Sequence, residues 1–177
     1  MMSNQYTMRP AQPTDEPFLW EMLYEAIYIP AGGTKPDRVI LQEPLLAHYV
    51  AGWGQQPGDM ALLALDSQSG QPVGAAWLRL FPATDPGWGF VDAETPEVSM
   101  ALLPAYRGQG IGTALLTDLI AQASGRYAAL SLSVDPQNPA MRLYERLGFV
   151  VVGASGTSLT MRKELDAPLR QPHQYQE

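Results

Sequence analysis

Three glycines at alternate positions, in Arg107-Gly108-Gln109-Gly110-Ile111-Gly112, give this chain its strongest chemical signal. The run lies between a strand-like segment ending near Leu103 and a helix-like segment over 111–123. Glycine leaves the backbone bare at such a handover, and several N–H groups then face outward at the positive end of the helix dipole. That arrangement suits phosphate or pyrophosphate. Arg107 stands beside the turn with a charge that can reinforce such a contact.

Two familiar phosphate-binding patterns do not account for the loop. A P-loop needs a lysine followed by serine or threonine, and here Gly112 is followed by Thr113 with no lysine nearby. A dinucleotide turn needs a third glycine where Thr113 stands, at the start of a βαβ unit. The acid nearest the expected distance is Asp135, just past the next strand, and the loop sits in the second half of the chain. That match is weak. The other chemical side chains are sparse: there is no cysteine, hence no thiolate ligand or cysteine nucleophile, and two histidines, His48 and His173, form no metal or triad constellation.

The elements that must carry the loop follow from periodicity and turn residues. Residues 5–9 read as a short strand, and Thr14-Asp15-Glu16-Pro17 opens a helix bearing Phe18, Leu19, Met22, Leu23, Ala26 and Ile27 at helical spacing. A second helical region covers 41–49. Segments 60–65 and 72–81 read as a hairpin around Asp66-Ser67-Gln68-Ser69-Gly70. Residues 82–95 are a long loop of prolines, glycines and acids, of the kind that is functional or mobile. Strand 97–103, the glycine turn, helix 111–123 and strand 128–134 follow. Asn138-Pro139 opens a helix closed by Gly148, and 149–152 and 158–162 give two last strands. The expectation is one α/β domain over 1–165 with a mixed sheet, then a loose polar tail over 166–177.

Composition sets outer limits. With 177 residues, 46% hydrophobic and 16% charged, the chain has a globular composition with enough core for one domain. A net charge of −7 argues against nucleic acid and anionic lipid as partners. No apolar run spans a membrane, and the N-terminus lacks a signal-peptide pattern, so a cytoplasmic location is expected.

Arg107-x-x-Gly110-x-Gly112, preceded by Leu103-Pro104-Ala105-Tyr106, resembles the acyl-CoA pyrophosphate loop of the GNAT superfamily of N-acetyltransferases. Segments 97–103 and 130–134 resemble that family's fourth and fifth strands. Asn138 through Ala140-Met141-Arg142-Leu143-Tyr144-Glu145-Arg146-Leu147-Gly148-Phe149 resembles its helix ending in Tyr-x-x-x-Gly-Phe. The likeness is good over 97–152; the N-terminal half matches only in element order.

The resemblance implies a GNAT-like α/β domain, a twisted mixed sheet of six or seven strands with splayed central strands and about four helices. It implies acetyl transfer from acetyl-CoA to a primary amine, without a metal. N–H groups of Arg107, Gly108, Gln109, Gly110, Ile111 and Gly112, with Thr113 next, would wrap the pyrophosphate. Main-chain groups around Leu102 and Leu103, and Asn138, would meet the pantetheine arm. Tyr144 matches the family's general acid for the departing thiolate, and Glu97 stands where several members carry the general base. Asp92 and Glu94 are alternative bases. With no cysteine to carry the acyl group, attack would be direct, in a ternary complex.

The resemblance leaves the acceptor open. Asp85, Asp92 and Glu94 hint at a cationic amine, small molecule or peptide, and Trp88 and Phe90 either line its pocket or pack the loop down. Family members are often homodimers. A non-catalytic acyl-CoA-binding module is the alternative reading: it would keep the glycine loop and lose the base.

Overall fold

The computed structural model describes residues 5–166. Of the tail expected over 166–177 only Asp166 falls among them, and His173 lies outside the described residues. In chain order the elements are β1 (Tyr6–Pro10), α1 (Glu16–Ala26), α2 (Pro44–Ala47), β2 (Met60–Asp66), β3 (Pro72–Arg79), β4 (Glu97–Leu102), α3 (Ile111–Ala123), β5 (Ala129–Val134), α4 (Ala140–Arg146), β6 (Val150–Ser155) and β7 (Ser158–Glu164). The strands form one seven-stranded sheet in the order β1-β2-β3-β4-β5-β7-β6. β4 and β5 are parallel, and the remaining neighbours are antiparallel.

Strand alternation builds two cores, one on each face. Leu62, Ala64, Ala76, Leu78, Val98 and Leu102 pack under α3, whose Ile111, Leu115, Leu116 and Leu119 are buried. Ala61, Leu63, Ala75, Trp77 and Ala101 pack on the other face beneath Leu19, Met22 and Leu23 of α1. The helical spacing read over 18–27 therefore marks the face that α1 buries.

The expected helix over 41–49 is broken. Residues Arg38–Gln42 form a 3-10 turn and α2 is a separate four-residue turn starting at Pro44. The cause is local: the residue before a proline is driven out of helical geometry, and Glu43 is extended at φ −63°, ψ 125°. The last strands run further than expected, through Ser155 and Glu164, because they pair with each other.

The feature that positions the site is a failure of pairing. β4 and β5 register only at Glu97 and Ser131, and beyond that point the two strands diverge. The gap opens into a cleft of about 1160 Å³ that takes its walls from α1, β4, the glycine turn, β5 and α4.

Candidate active site

At the α3 end of the cleft the glycine turn has the predicted geometry. Gly108 and Gly110 adopt φ of 72° and 82°, which L side chains rarely do. A Cβ at either would meet nothing within 4 Å, so the backbone is uncovered. The first helical bond of α3 is Ala114 N–H to the Gly110 carbonyl at 3.1 Å. From Gly108 through Thr113, six successive N–H groups find no acceptor among the described residues. The N–H of Arg107 is engaged with the Pro104 carbonyl at 3.3 Å, so the free run starts one residue later than the sequence suggested. Six unpaired donors at a helix N-terminus fit a pyrophosphate.

The Arg107 side chain serves a different contact. Its Nε donates to the Leu102 carbonyl at 3.2 Å, and its guanidinium pairs with Glu25 at 2.9 Å. Glu25 also holds Lys35 at 3.0 Å, which ties the loop after α1 to the glycine turn.

The open edge of β4 is set by alternation. The Leu103 N–H donates to the Val73 carbonyl at 2.8 Å, toward β3. Main-chain groups of Met100 and Leu102 therefore point into the gap toward β5. Of the main-chain groups expected around Leu102 and Leu103, the Leu102 N–H faces the gap, as Met100 does, and the Leu103 N–H does not.

Glu97 begins β4 at the apex of the gap and is only 3% exposed. Its Oε1 accepts from the Tyr49 hydroxyl at 2.6 Å and from the Gly89 N–H at 2.9 Å. Its Oε2 is buried and has no partner among the described residues, and Glu97 lines the cleft. Burial pushes its pKa up from 4.5 to about 7, against the opposing pull of the Tyr49 and Gly89 hydrogen bonds. Burial and the Glu97 charge drive the Tyr49 phenol far above its usual range, so it stays a donor. Tyr49 is itself held: its hydroxyl accepts the Trp88 N–H at 2.8 Å, and its carbonyl accepts from Trp77 Nε1 at 3.1 Å.

Tyr144 and Asn138 line the same cleft from the α4 side. The Tyr144 phenol is half-buried, and loss of solvation pushes its pKa up to about 12. Asn138 Oδ1 accepts the Ala140 N–H at 2.9 Å, a capping contact at the start of α4. The three loop acids stand elsewhere. Asp85 meets His48 Nδ1 at 3.1 Å, Asp92 accepts the Glu94 N–H at 2.9 Å, and none of Asp85, Asp92 and Glu94 lines the cleft. Trp88 lines it, whereas Phe90 packs against the core.

One cleft thus joins a helix-capping glycine turn, an open strand edge, an unpartnered carboxyl oxygen and a phenol. The acetyltransferase (GNAT) family profile matches residues 20–149, most of the chain. The chain belongs to the GNAT acetyltransferase family. This GNAT protein is 33% identical over 129 residues to a mycothiol acetyltransferase of Acidothermus cellulolyticus, covering 73% of this chain and 35% of that one. It therefore spans about a third of that relative's length. A candidate acetyltransferase of Salmonella typhimurium, solved with its cofactor acetyl-CoA, shares the fold at TM-score 0.62 and 27% identity, over 92% of this chain and 95% of that one. A phosphinothricin acetyltransferase of Sinorhizobium meliloti, solved with acetyl-CoA, superposes at TM-score 0.60 with 22% identity, over 97% and 95%. The family whose profile matches is one of acetyltransferases.

In this GNAT fold the sequence reading missed the residues that hold Glu97. Gly87 and Gly89 are buried around it: a Cβ at Gly87 would collide with Glu97 Oε2 and lie 2.7 Å from the Tyr49 hydroxyl. A Cβ at Gly89 would stand 2.5 Å from the Leu132 carbonyl carbon. The buried pair Arg79–Asp59, at 2.9 Å, also escaped, with Arg79 donating to the His48 and Ala51 carbonyls that flank Tyr49. The pattern Gly87-Trp88-Gly89 just before a strand-opening acid was the one local signal available. Nothing near Tyr49 in sequence marks it.

Proposed function

We propose that the protein transfers an acetyl group from acetyl-CoA to a primary amine by direct attack, with Glu97 as base and Tyr144 as donor to the departing sulfur. The observation that carries this reading is a buried carboxyl with one oxygen unpartnered, on a residue that lines the same cleft as the glycine turn.

Acetyl-CoA supplies a thioester whose carbonyl an amine can attack once that amine is neutral. Six N–H groups from Gly108 to Thr113 bind the pyrophosphate. The edge of β4 at Met100 and Leu102, with Asn138, orients the pantetheine arm.

An alkylamine of pKa about 10.4 is over ~99.9% protonated at pH 7. Glu97 answers this with a pKa of about 7: half its molecules are ionised at neutrality, and the protonated product is stable enough to form. It takes the ammonium proton at Oε2, directly or through water, while Tyr49 and Gly89 hold Oε1. The new C–N bond forms as the C–S bond breaks, giving an amide and the CoA thiol.

Tyr144 at about 12 is a weak acid toward a thiolate of ordinary pKa near ~8.5, so complete transfer is uphill by roughly 3 to 4 units. Hydrogen-bond donation to the sulfur as negative charge grows is its favoured contribution; of the two protons the ammonium loses, one stays on Glu97 and the second, shed by the nitrogen as the amide forms, ends on the sulfur.

Thiol release and product mass, measured over an amine panel, test the reading. Tyr144→Phe is expected to lower kcat roughly 100-fold with little change in acetyl-CoA affinity. Equal rates for Tyr144→Phe and wild type would remove Tyr144 from the mechanism. Stabilisation by NAD with none by acetyl-CoA would remove the donor assignment.

A further inference from the structure

The two sides of the cleft differ in chemistry, and the difference speaks to the acceptor. On the α1 side the wall is made by Leu23, Ile27, Ile40, Leu46 and Trp88, with Glu97 at its floor. Trp88 is 46% exposed and stacks on Tyr49 at 5.8 Å with 27° between the rings, presenting a broad apolar face beside the carboxyl.

The charged groups that line the described cleft are Glu25, Lys35, Glu97, Arg107, Asp135 and Arg146. Glu25 is matched on both oxygens, by Lys35 at 3.0 Å and Arg107 at 2.9 Å, so that trio is closed on itself. Asp135 and Arg146 belong to the β5–α4 side, with Asn138 and Tyr144. The α1 side is left with one anion, Glu97, and no cation without a partner among the described residues.

We infer that the acceptor is a primary monoamine on an apolar body, aliphatic or aromatic, with no carboxylate of its own; this rests on the acetyl-transfer reading above. A second ammonium, as in a polyamine, would lie against leucine and isoleucine with no anion to meet it. An amino acid would bring its carboxylate beside Glu97 with no free cation to receive it. The loop acids that hinted at a cationic acceptor stand outside the cleft, so they supply no anion for a second ammonium.

The test is acetyl-CoA turnover, with acetyl-CoA binding by calorimetry in parallel, over propylamine through hexylamine, 2-phenylethylamine, spermidine and lysine. The n-alkylamines share one basicity, so the series isolates contact with the wall. Each methylene is expected to raise kcat/KM up to roughly fourfold, the value of a buried CH₂. Spermidine and lysine are expected at least about tenfold below hexylamine. Ile40→Glu, a second anion on a half-buried wall residue, narrows the hexylamine-to-spermidine ratio by up to roughly fivefold.

A flat alkyl series, or preference for spermidine or lysine, overturns this inference and leaves acetyl transfer standing. Failure of acetyl-CoA to bind, or binding with no turnover of any amine, overturns the acetyl-transfer reading and this inference with it.

Discussion

The proposed donor end and acceptor end of the cleft are built on opposite plans. The donor end is a stretch of consecutive backbone: six N–H groups between Gly108 and Thr113, presented because two glycines take positive φ ahead of α3. The acceptor end is an assembly of side chains from separate segments. Glu97 comes from β4, Tyr49 from the turns after α2, Gly87 and Gly89 from the loop before β4, and Leu23 from α1. A main-chain site tolerates changes in side chains around it, whereas an assembled site depends on every contact that places it.

Removing the proposed base should separate the two ends most sharply. Glu97→Gln is expected to lower kcat/KM by roughly 10² to 10⁴ while acetyl-CoA affinity stays unchanged by calorimetry. In the wild type the rate should climb through pH 7 as Glu97, with its pKa of about 7, loses its proton, and the variant should lack that limb. Stability runs the other way. The folded carboxyl keeps its proton to higher pH than the unfolded one, so burying it costs nothing below pH 4.5, costs progressively more up to about pH 7, and is constant above. The full cost is about 3 kcal/mol, offset in the variant by an unpaired buried amide worth about 1–3 kcal/mol. Urea unfolding at several pH values should show wild type losing ground to Glu97→Gln between pH 4.5 and 7. Equal pH dependence of the two proteins would place the Glu97 pKa near its ordinary value.

Gly87→Ala is the next largest effect. Its Cβ would collide with Glu97 Oε2 and press on the Tyr49 hydroxyl, so the carboxyl must turn away. A kcat loss of roughly 100-fold is expected, with the acetyl-CoA KM within about twofold. An equal rise in acetyl-CoA KM would mean that the ends are coupled rather than independent.

The same contrast explains what was legible in the sequence. The glycine turn, α3, β4 and the order of elements could be read because each depends on neighbours within a few residues. Gly148, which closes α4, could be read for the same reason, whereas Asn138 and Tyr144, which line the cleft, were pointed to by the family resemblance. The break at Pro44 was also written locally, but Leu45, Leu46 and Ala47 beyond it invited one longer helix. The partners of Glu97 could not be read. Tyr49 is 48 residues away and reaches it only because Arg79 and Trp77 of β3 bind the turns that carry it. The pairing of Arg107 with Glu25 is a contact across 82 residues, and no local pattern announces it.

A smaller change probes the donor end. Gly110→Ala puts a Cβ into open space, so the core is untouched, but φ of 82° strains alanine by roughly 1–2 kcal/mol. Relaxing that strain turns the N–H groups out of line, and the acetyl-CoA KM should rise roughly tenfold with kcat nearly unchanged. A fall in kcat with KM constant would show that the turn acts on chemistry.

The finest test lies inside the acceptor end, at Tyr49. Its phenol donates to Glu97 Oε1 at 2.6 Å, which favours the carboxylate and holds its pKa below what burial alone would set. Tyr49→Phe keeps the ring that packs on Phe81 and Trp88 and removes the hydroxyl, which is both that donor and the acceptor of the Trp88 N–H. The Glu97 pKa should then move further up, by about one unit for a hydrogen bond to a charged group. At pH 7 the ionised fraction drops and kcat/KM falls roughly fivefold, and by pH 9 the variant should match the wild type. A purely structural role for Tyr49 predicts a different profile, with the rate depressed equally at all pH. The position of the rising limb, rather than the size of the loss, therefore decides whether Tyr49 sets the proton affinity of the base.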